Sequence, residues 1–254
     1  MTELTGRTAV VTGASRGIGQ AIAARLAEQG ALVIVHFGTD ESGAAATVDT
    51  IGRAGGTALA VRAELGVAGD VETLFAGVEA GLAGRPLDIL VNNAAAQPAG
   101  PLGTTTRAEF DRLFAVNVRA PYFIIQRALP LLRDGGRIIT ISSVATRMAN
   151  PTQTSFAMTK GAVETMSMTL ANQLGPRGIT VNAVAPGATR TATNGAFFEA
   201  PGLTEQIVGM TALDRLGGPD DIADVVAFLA SDAARWITGQ VIDASGGLFL
   251  GPRV

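Results

Sequence analysis

The 254-residue sequence contains no cysteine, and only one histidine, one tyrosine and one tryptophan. Without cysteine, the chain has no disulfide, no thiolate nucleophile and no cysteine-ligated zinc. A lone histidine, His36, supplies neither a multi-histidine metal site nor a second general base, so no metal centre is expected. A basic field is also missing. Nineteen Lys and Arg stand against 22 Asp and Glu, a net charge of −3, which gives nucleic acid or anionic lipid nothing to hold. No run approaches the roughly 18 uninterrupted apolar residues needed to span a bilayer. Met1 to Arg7 is short and polar, without the apolar stretch and cleavage site of a secretory signal. These absences predict a soluble, cytoplasmic protein with neither nucleic acid nor membrane as partner.

Glycine, by contrast, is abundant: 32 residues of 254, against an average of about 7%. Hydrophobic residues make up 47% of the chain and no low-complexity tract appears, so the glycine excess is not disorder. A length near 250 residues suits one α/β domain, and no Pro/Ser linker divides residues 1–254.

Short apolar runs alternate with longer helical patterns. The expected strands are Thr8–Thr12, Ala31–His36, Thr57–Ala63, Ile89–Val91, Arg137–Ser142, Thr180–Val184 and Gln240–Asp243, mostly continuous apolar runs as in parallel strands covered on both faces. Ile18, Ile22 and Leu26 mark the first helix, which stops at Gly30. Further helices are expected at Glu41–Ala54, Val71–Leu82, Arg107–Leu132, Thr154–Leu174 and Pro219–Ala230. This alternation predicts a doubly wound, seven-stranded parallel sheet with helices on both faces. Gly187–Leu216 is the one long irregular stretch, and residues 188–216 are expected to form a lid over a ligand.

Thr12-Gly13-Ala14-Ser15-Arg16-Gly17-Ile18-Gly19 lies between the first strand and the first helix. Glycines there let the backbone approach a pyrophosphate, whose charge meets free N–H groups at the helix N-terminus. Further along stand Asn92-Asn93-Ala94-Ala95 after the fourth strand, Asn117, Ile141-Ser142-Ser143, Lys160 within Met-Thr-Lys-Gly-Ala, Pro186-Gly187, and Ile237-Thr238-Gly239-Gln240. In this order and spacing the chain resembles the single-domain short-chain dehydrogenase/reductase family over essentially its whole length, closest in look to 3-oxoacyl-carrier-protein reductase-like members.

The resemblance implies a Rossmann-type catalytic domain and a nicotinamide cofactor. NAD-preferring dehydrogenases usually carry an acidic residue at the end of the second strand. Here that strand ends His36-Phe37-Gly38-Thr39, with no carboxylate until Asp40, and Arg16 sits in the glycine turn, where the resemblance places a cation near a 2′-phosphate. Both features predict NADP(H). The expected cofactor contacts are Gly13, Ser15, Arg16, Gly17, Ile18 and Gly19; His36, Phe37 and Gly38; Glu64 and Leu65; Asn93, Ala94 and Ala95; Lys160; and Pro186, Gly187, Thr189 and Thr191. Ala95 replaces a glycine usual in the motif, which matters only if the backbone there needs positive φ.

The family's catalytic set is Asn, Ser, Tyr and Lys. Asn117, Ser143 and Lys160 match, but the tyrosine position, four residues before Lys160 and thirteen after Ser143, holds Phe156. The lone tyrosine, Tyr122, is followed four residues later by Gln126 rather than lysine and does not take the role. Residues 156 and 160 lie one helical turn apart, so phenylalanine preserves the packing and lacks only the O–H. Three explanations stay open. Phe156 is a substitution that silences turnover; another donor acts, such as Ser143, Thr154 or a water relayed through Asn117 and Lys160; or the chain binds NADP as a sensor or scaffold without redox chemistry.

A substrate over the nicotinamide is expected to meet Gln97, Val144, Met148, Phe197, Phe198 and Met210, a mostly apolar set. That suits a ketone or secondary alcohol of moderate size, free or carrier-bound. Phe197 and Phe198 serve equally well as lid packing. Arg147 and Arg190 flank the region, solvated, paired or facing an acidic group. Resemblance also implies a homotetramer, built on the helices near 107–132 and 154–174 and on the apolar tail Gly246–Val254.

Overall fold

A computed structural model describes residues 3–192, 194–248 and 250–251. Seven parallel strands form one sheet in the order β3-β2-β1-β4-β5-β6-β7. They are β1 (Thr8–Val11), β2 (Leu32–Phe37), β3 (Thr57–Arg62), β4 (Leu87–Asn92), β5 (Leu132–Ile141), β6 (Thr180–Pro186) and β7 (Val241–Ala244). Every residue of β1, β2, β4 and β6 is buried, which accounts for their unbroken apolar runs.

Alternate residues of each strand point to opposite faces. Val11, Val33, Val35, Ile89, Val91, Ile139 and Val184 pack beneath α1 (Gly17–Glu28), α2 (Glu41–Arg53) and the C-terminal helix (Pro219–Ala230). Val10, Ile34, Leu90, Ile138 and Val181 pack beneath α3 (Asp70–Leu82) and the helices Ala120–Ala128 and Thr154–Leu174. The expected doubly wound architecture is therefore observed. Strand order reverses between β1 and β4, and at that point the carboxyl ends of an open sheet leave a crevice for a ligand.

Three differences from the sequence reading have physical causes. The expected helix Arg107–Leu132 is two, α4 (Arg107–Phe114) and α5 (Ala120–Ala128), joined by a wider π turn over Ala115–Arg119. Pro121 lacks an N–H and its ring crowds the carbonyl four residues earlier; the turn before it widens, with Ala120 N–H bonding Ala115 O. β5 begins earlier than expected, at Leu132, and is irregular where Gly135 takes φ +77°. The long irregular stretch contains two short helices, α7 (Gly195–Phe198) and α8 (Leu203–Gly209); α6 (Thr154–Leu174) precedes it and α9 (Pro219–Ala230) follows.

Both ends of the 188–216 segment are tied to the body. Arg190 N–H bonds Gly217 O at 2.9 Å, Gly217 N–H bonds Ala188 O at 2.9 Å, and Leu213 N–H bonds Gly246 O at 3.1 Å. Thr193 of this segment, and Phe249 and residues 252–254 of the expected oligomer tail, lie outside the described residues.

At the opposite end of the sheet, Asp88 is buried beneath β1. Its Oδ2 accepts the Thr8 N–H at 2.9 Å, and its Oδ1 lies 3.0 Å from Arg133 Nε and 4.0 Å from an Arg7 nitrogen. Asp88→Ala strands the buried Thr8 N–H and takes a carboxylate from Arg133, while Arg7 keeps Asp232 at 2.9 Å, an expected loss of about 1–3 kcal/mol. Equilibrium urea unfolding checks this; an unchanged midpoint contradicts it.

Candidate active site

The site starts at the turn after β1. Thr12 N–H bonds Val91 O at 3.0 Å, and Thr12 Oγ1 accepts the N–H groups of Asn93 (2.9 Å) and Ala94 (3.0 Å). Asn93 Nδ2 donates back to Thr12 O at 2.8 Å and Gly13 O at 3.0 Å. Five hydrogen bonds thus fasten the glycine turn to the end of β4. Gly13 (φ +64°) and Gly17 (φ +59°) use the left-handed region, and a Cβ on Gly19 would lie 2.3 Å from Gly13 O. α1 opens there with no side-chain cap and no acidic residue in its first turn, leaving its N–H groups for an anion.

His36 is part of the same construction. Gly13 N–H donates to Nδ1 at 3.0 Å, and Nε2 faces Ala63 O at 2.8 Å, so the ring is the neutral tautomer with its proton on Nε2. Burial holds its pKa below the ordinary histidine value, partly opposed by the Ala63 carbonyl. Both nitrogens are used, so the ring offers none to a ligand and acts by holding Gly13. The Phe37 ring packs in the core. Gly38 leads into Asp40, whose carboxylate accepts from Gly43 N–H at 3.0 Å and the Ser42 hydroxyl at 3.3 Å as the α2 cap. The Gly43 N–H, chiefly, keeps the Asp40 pKa low. Arg16 is largely exposed, with a guanidinium nitrogen 3.9 Å from Asp40. Ser15 is buried, Ile18 packs against the core, Glu64 is exposed, and Leu65 half-buried.

Ala95 is unstrained, because Ala83 and Asp214 are the non-glycine residues at positive φ among those described. On the far side of the crevice, Pro186 closes β6. A Cβ on Gly187 would fall 2.7 Å from Ser245 Cα, and one on Gly17 would lie 3.6 Å from Thr191, so the start of the 188–216 segment approaches the glycine turn. Asn194 holds that stretch, accepting from Thr191 N–H at 2.7 Å and donating to Thr189 O at 2.9 Å. Sequence reasoning missed Asn194, which no motif marks.

The expected catalytic residues come from three elements. Phe156 and Lys160 share a face of α6, with Lys160 Nζ 5.4 Å from the Phe156 ring centroid. Nζ donates to Ile141 O, the last residue of β5, at 2.8 Å. Burial lowers the Lys160 pKa to about 8, opposed by the negative charge of Glu164. Lys160 is also the chain's sole lysine, a fact that motif reading passes over. Ser143 Oγ accepts Ala145 N–H at 3.1 Å, which leaves the hydroxyl hydrogen available to donate. Asn117 lies in the π turn. Its Oδ1 accepts Ala96 N–H at 2.7 Å and its Nδ2 donates to Thr159 Oγ1 at 3.2 Å; that hydroxyl donates to Phe156 O at 2.7 Å.

Thr154 lines a separate groove of ≈ 300 Å³ with Leu102, Arg107, Phe110 and Met158. Tyr122 is half exposed on α5, edge-on to Phe123. Val144 is buried, Met148 and Met210 half-buried, and Gln97 exposed. Phe198 is buried, while its neighbour Phe197 is 61% exposed. Both flanking arginines have partners: Arg147 pairs with Asp243 at 3.2 Å, and Arg190 stacks 5.6 Å from the Phe198 ring.

The model of the family described as enoyl-(acyl carrier protein) reductase matches residues 13–249. The chain belongs to the short-chain dehydrogenase/reductase family. This short-chain dehydrogenase is 53% identical to the promiscuous reductase LugOII, which catalyses keto-reduction at C1 during lugdunomycin biosynthesis; the match covers 98% of this chain and 100% of that one, with TM-score 0.94. It is 51% identical to the angucycline C-6 ketoreductase LanV, solved with bound NADP, over 98% of both chains, with TM-score 0.94. A hydroxynaphthalene reductase-like protein, Arp2 of Metarhizium brunneum, is 40% identical over 96% of this chain and 95% of its own.

Proposed function

We propose that this short-chain dehydrogenase is an NADP(H)-dependent ketoreductase acting on a fused-ring aromatic ketone or the matching secondary alcohol, with Phe156 where the proton-donating tyrosine belongs. The observation that carries the reading is that Lys160 Nζ bonds Ile141 O, two residues before Ser143, while Asn117 bonds Thr159, next to Lys160, and Ala96, just beyond β4. Support for the substrate class comes from apolar Val144 and Met148 on the turn after Ser143 and from the names of LugOII, LanV and Arp2.

The residues fit the cofactor: the turn admits no Cβ at Gly19, the α1 N–H groups are uncapped, and Arg16 is exposed beside them. When bound, NADPH supplies hydride to a carbonyl carbon. Ser143 donates its free hydrogen to the carbonyl oxygen. The Lys160 ammonium, desolvated and therefore electrostatically strong, holds the ribose side of the site. Asn117 locks the π turn to α6. Phe156 fills the donor's volume but gives no proton, so turnover of this chain is slow, and a module that binds NADP without turnover is the second reading.

Arg16 gives the cofactor preference its test. Arg16→Ala is expected to weaken NADPH binding about 10–100-fold and leave NADH binding within about 3-fold, as a charge-assisted phosphate contact requires. Fluorescence titration with both cofactors checks it; equal losses for the two contradict it. Among the described residues no helix is long and apolar enough to cross a membrane, and a cytoplasmic location goes with the reading. Exposed Tyr122, Phe123, Met158 and Met168 on α5 and α6, with Trp236 near β7, support a homotetramer. Carrier-bound substrates remain within the proposal. Assay of NADPH consumption against cyclic, fused-ring and β-keto ketones tests the activity, and cofactor binding with no turnover, even after Phe156→Tyr, favours the module.

A further inference from the structure

Glu164 has no part in the family's catalytic set, yet it touches both sides of the site. Phe156, Lys160 and Glu164 follow one another at intervals of four along α6, which puts them on one stripe. The Glu164 carboxylate is half-buried. Its Oε1 accepts the Ser142 hydroxyl at 2.6 Å and the Thr146 hydroxyl at 3.1 Å. These two residues flank Ser143, one before it and three after. Thr146 Oγ1 also lies 3.1 Å from Ser143 O, so a single hydroxyl hydrogen is shared between the turn's own carbonyl and the carboxylate. One carboxylate oxygen therefore grips both shoulders of the turn that presents Ser143. One helical turn earlier, Lys160 Nζ grips the same strand end at Ile141 O.

We propose that Glu164 is a positioning residue of the active site, its carboxylate tying the turn that presents Ser143 to the helix that presents Lys160 and supplying the countercharge to that lysine. The proposal rests on Ser143 and Lys160 being the reacting groups. Misplacing a hydrogen-bond donor by about 1 Å costs about 100-fold in rate, so a clamp between the two elements that carry the reacting groups acts on the chemical step more than on cofactor binding. Of the charged groups on neighbouring elements, Arg107, Glu109, Asp111 and Arg112 of α4 are all exposed. Glu164 belongs to α6 itself. Arg147, at the end of the Ser143 turn, is exposed and paired with Asp243 of β7. Arg119 of the π turn is exposed and bonds Gly66 O at 3.0 Å. Arg137 lies in the middle of β5, four residues before Ile141, bound to Asp232 at 3.3 Å.

Glu164→Ala and Glu164→Gln separate the two roles, since glutamine keeps the acceptor and loses the charge. Hydrogen exchange of the 142–148 segment reads the clamp without need of turnover. The expected result is faster exchange there, by about 10-fold, in the alanine variant and near-parental exchange in the glutamine variant. Because the chain has one lysine, lysine labelled at Cε gives one side-chain signal, and its pH titration reads Lys160 directly. Its midpoint is expected to fall in both variants, because removing a negative charge disfavours the ammonium. In the Phe156→Tyr chain, Glu164→Ala is expected to lower kcat about 10–100-fold with the KM for NADPH unchanged, and Gln to restore most of it. Unchanged exchange at 142–148, a rise spread evenly over the chain, or an unmoved lysine midpoint overturns the role of Glu164. A Phe156→Tyr chain without turnover sinks the ketoreductase reading instead, and leaves exchange and titration to decide on Glu164.

Discussion

Phe156→Tyr is expected to raise the turnover of an accepted ketone by about 10²–10⁴-fold, the usual contribution of a positioned proton donor. On the proposed reading the ring takes the donor's place, on the same face of α6 as Lys160 and 5.4 Å from its ammonium. Adding an O–H changes little volume, so the fold, the NADPH affinity and the KM should stay close to the parent's. The neighbouring positive charge favours the phenolate and lowers the new tyrosine's pKa, which brings proton transfer nearer to neutral pH. Steady-state kinetics on both chains with the same ketone checks this. If the tyrosine version gains nothing while the parent already turns over, another group carries the proton, with Ser143 or a relay through Asn117 and Lys160 the next to test.

Gly19→Ala is expected to weaken NADPH binding by about 100-fold or more. The new methyl would lie 2.3 Å from Gly13 O and 2.4 Å from Asn93 Nδ2. Neither is the end of a flexible side chain free to move. Gly13 O is backbone, and Asn93 Nδ2 is fixed by two carbonyls. The turn must open, and a backbone shift near 1 Å at a phosphate cradle costs about two orders of magnitude. Gly161→Ala, where a Cβ meets nothing within 4 Å, is the matched control and should bind normally. Parental NADPH affinity in Gly19→Ala would mean that the cofactor does not use this turn.

Much of this architecture is legible in the residues, for reasons that differ from place to place. β1, β2, β4 and β6 are buried on both faces, so their apolar runs have no polar interruptions to blur them. Phe156 and Lys160 share a helix at a spacing of four, so their meeting follows from one local element. The break at Ala115–Arg119 is harder to read, because Pro121 acts on carbonyls upstream of itself and the apolar pattern continues through the break. Asn194 and Glu164 escape motif reading because their partners come from backbone groups or from a strand end far away in sequence. His36 is conspicuous as the lone histidine, yet its task is set by Gly13 and Ala63, more than 20 residues away on either side.

The most direct test of the account follows the hydride itself. A fused-ring aromatic ketone is incubated with NADPH carrying deuterium on the transferable face, with this chain and with Phe156→Tyr in parallel, and the alcohol is read by mass spectrometry. One deuterium is expected on the carbinol carbon in both reactions, formed far faster by the tyrosine version. Tight NADPH binding with no deuterium transferred by either protein to any ketone of the panel would contradict it and leave a cofactor-binding module.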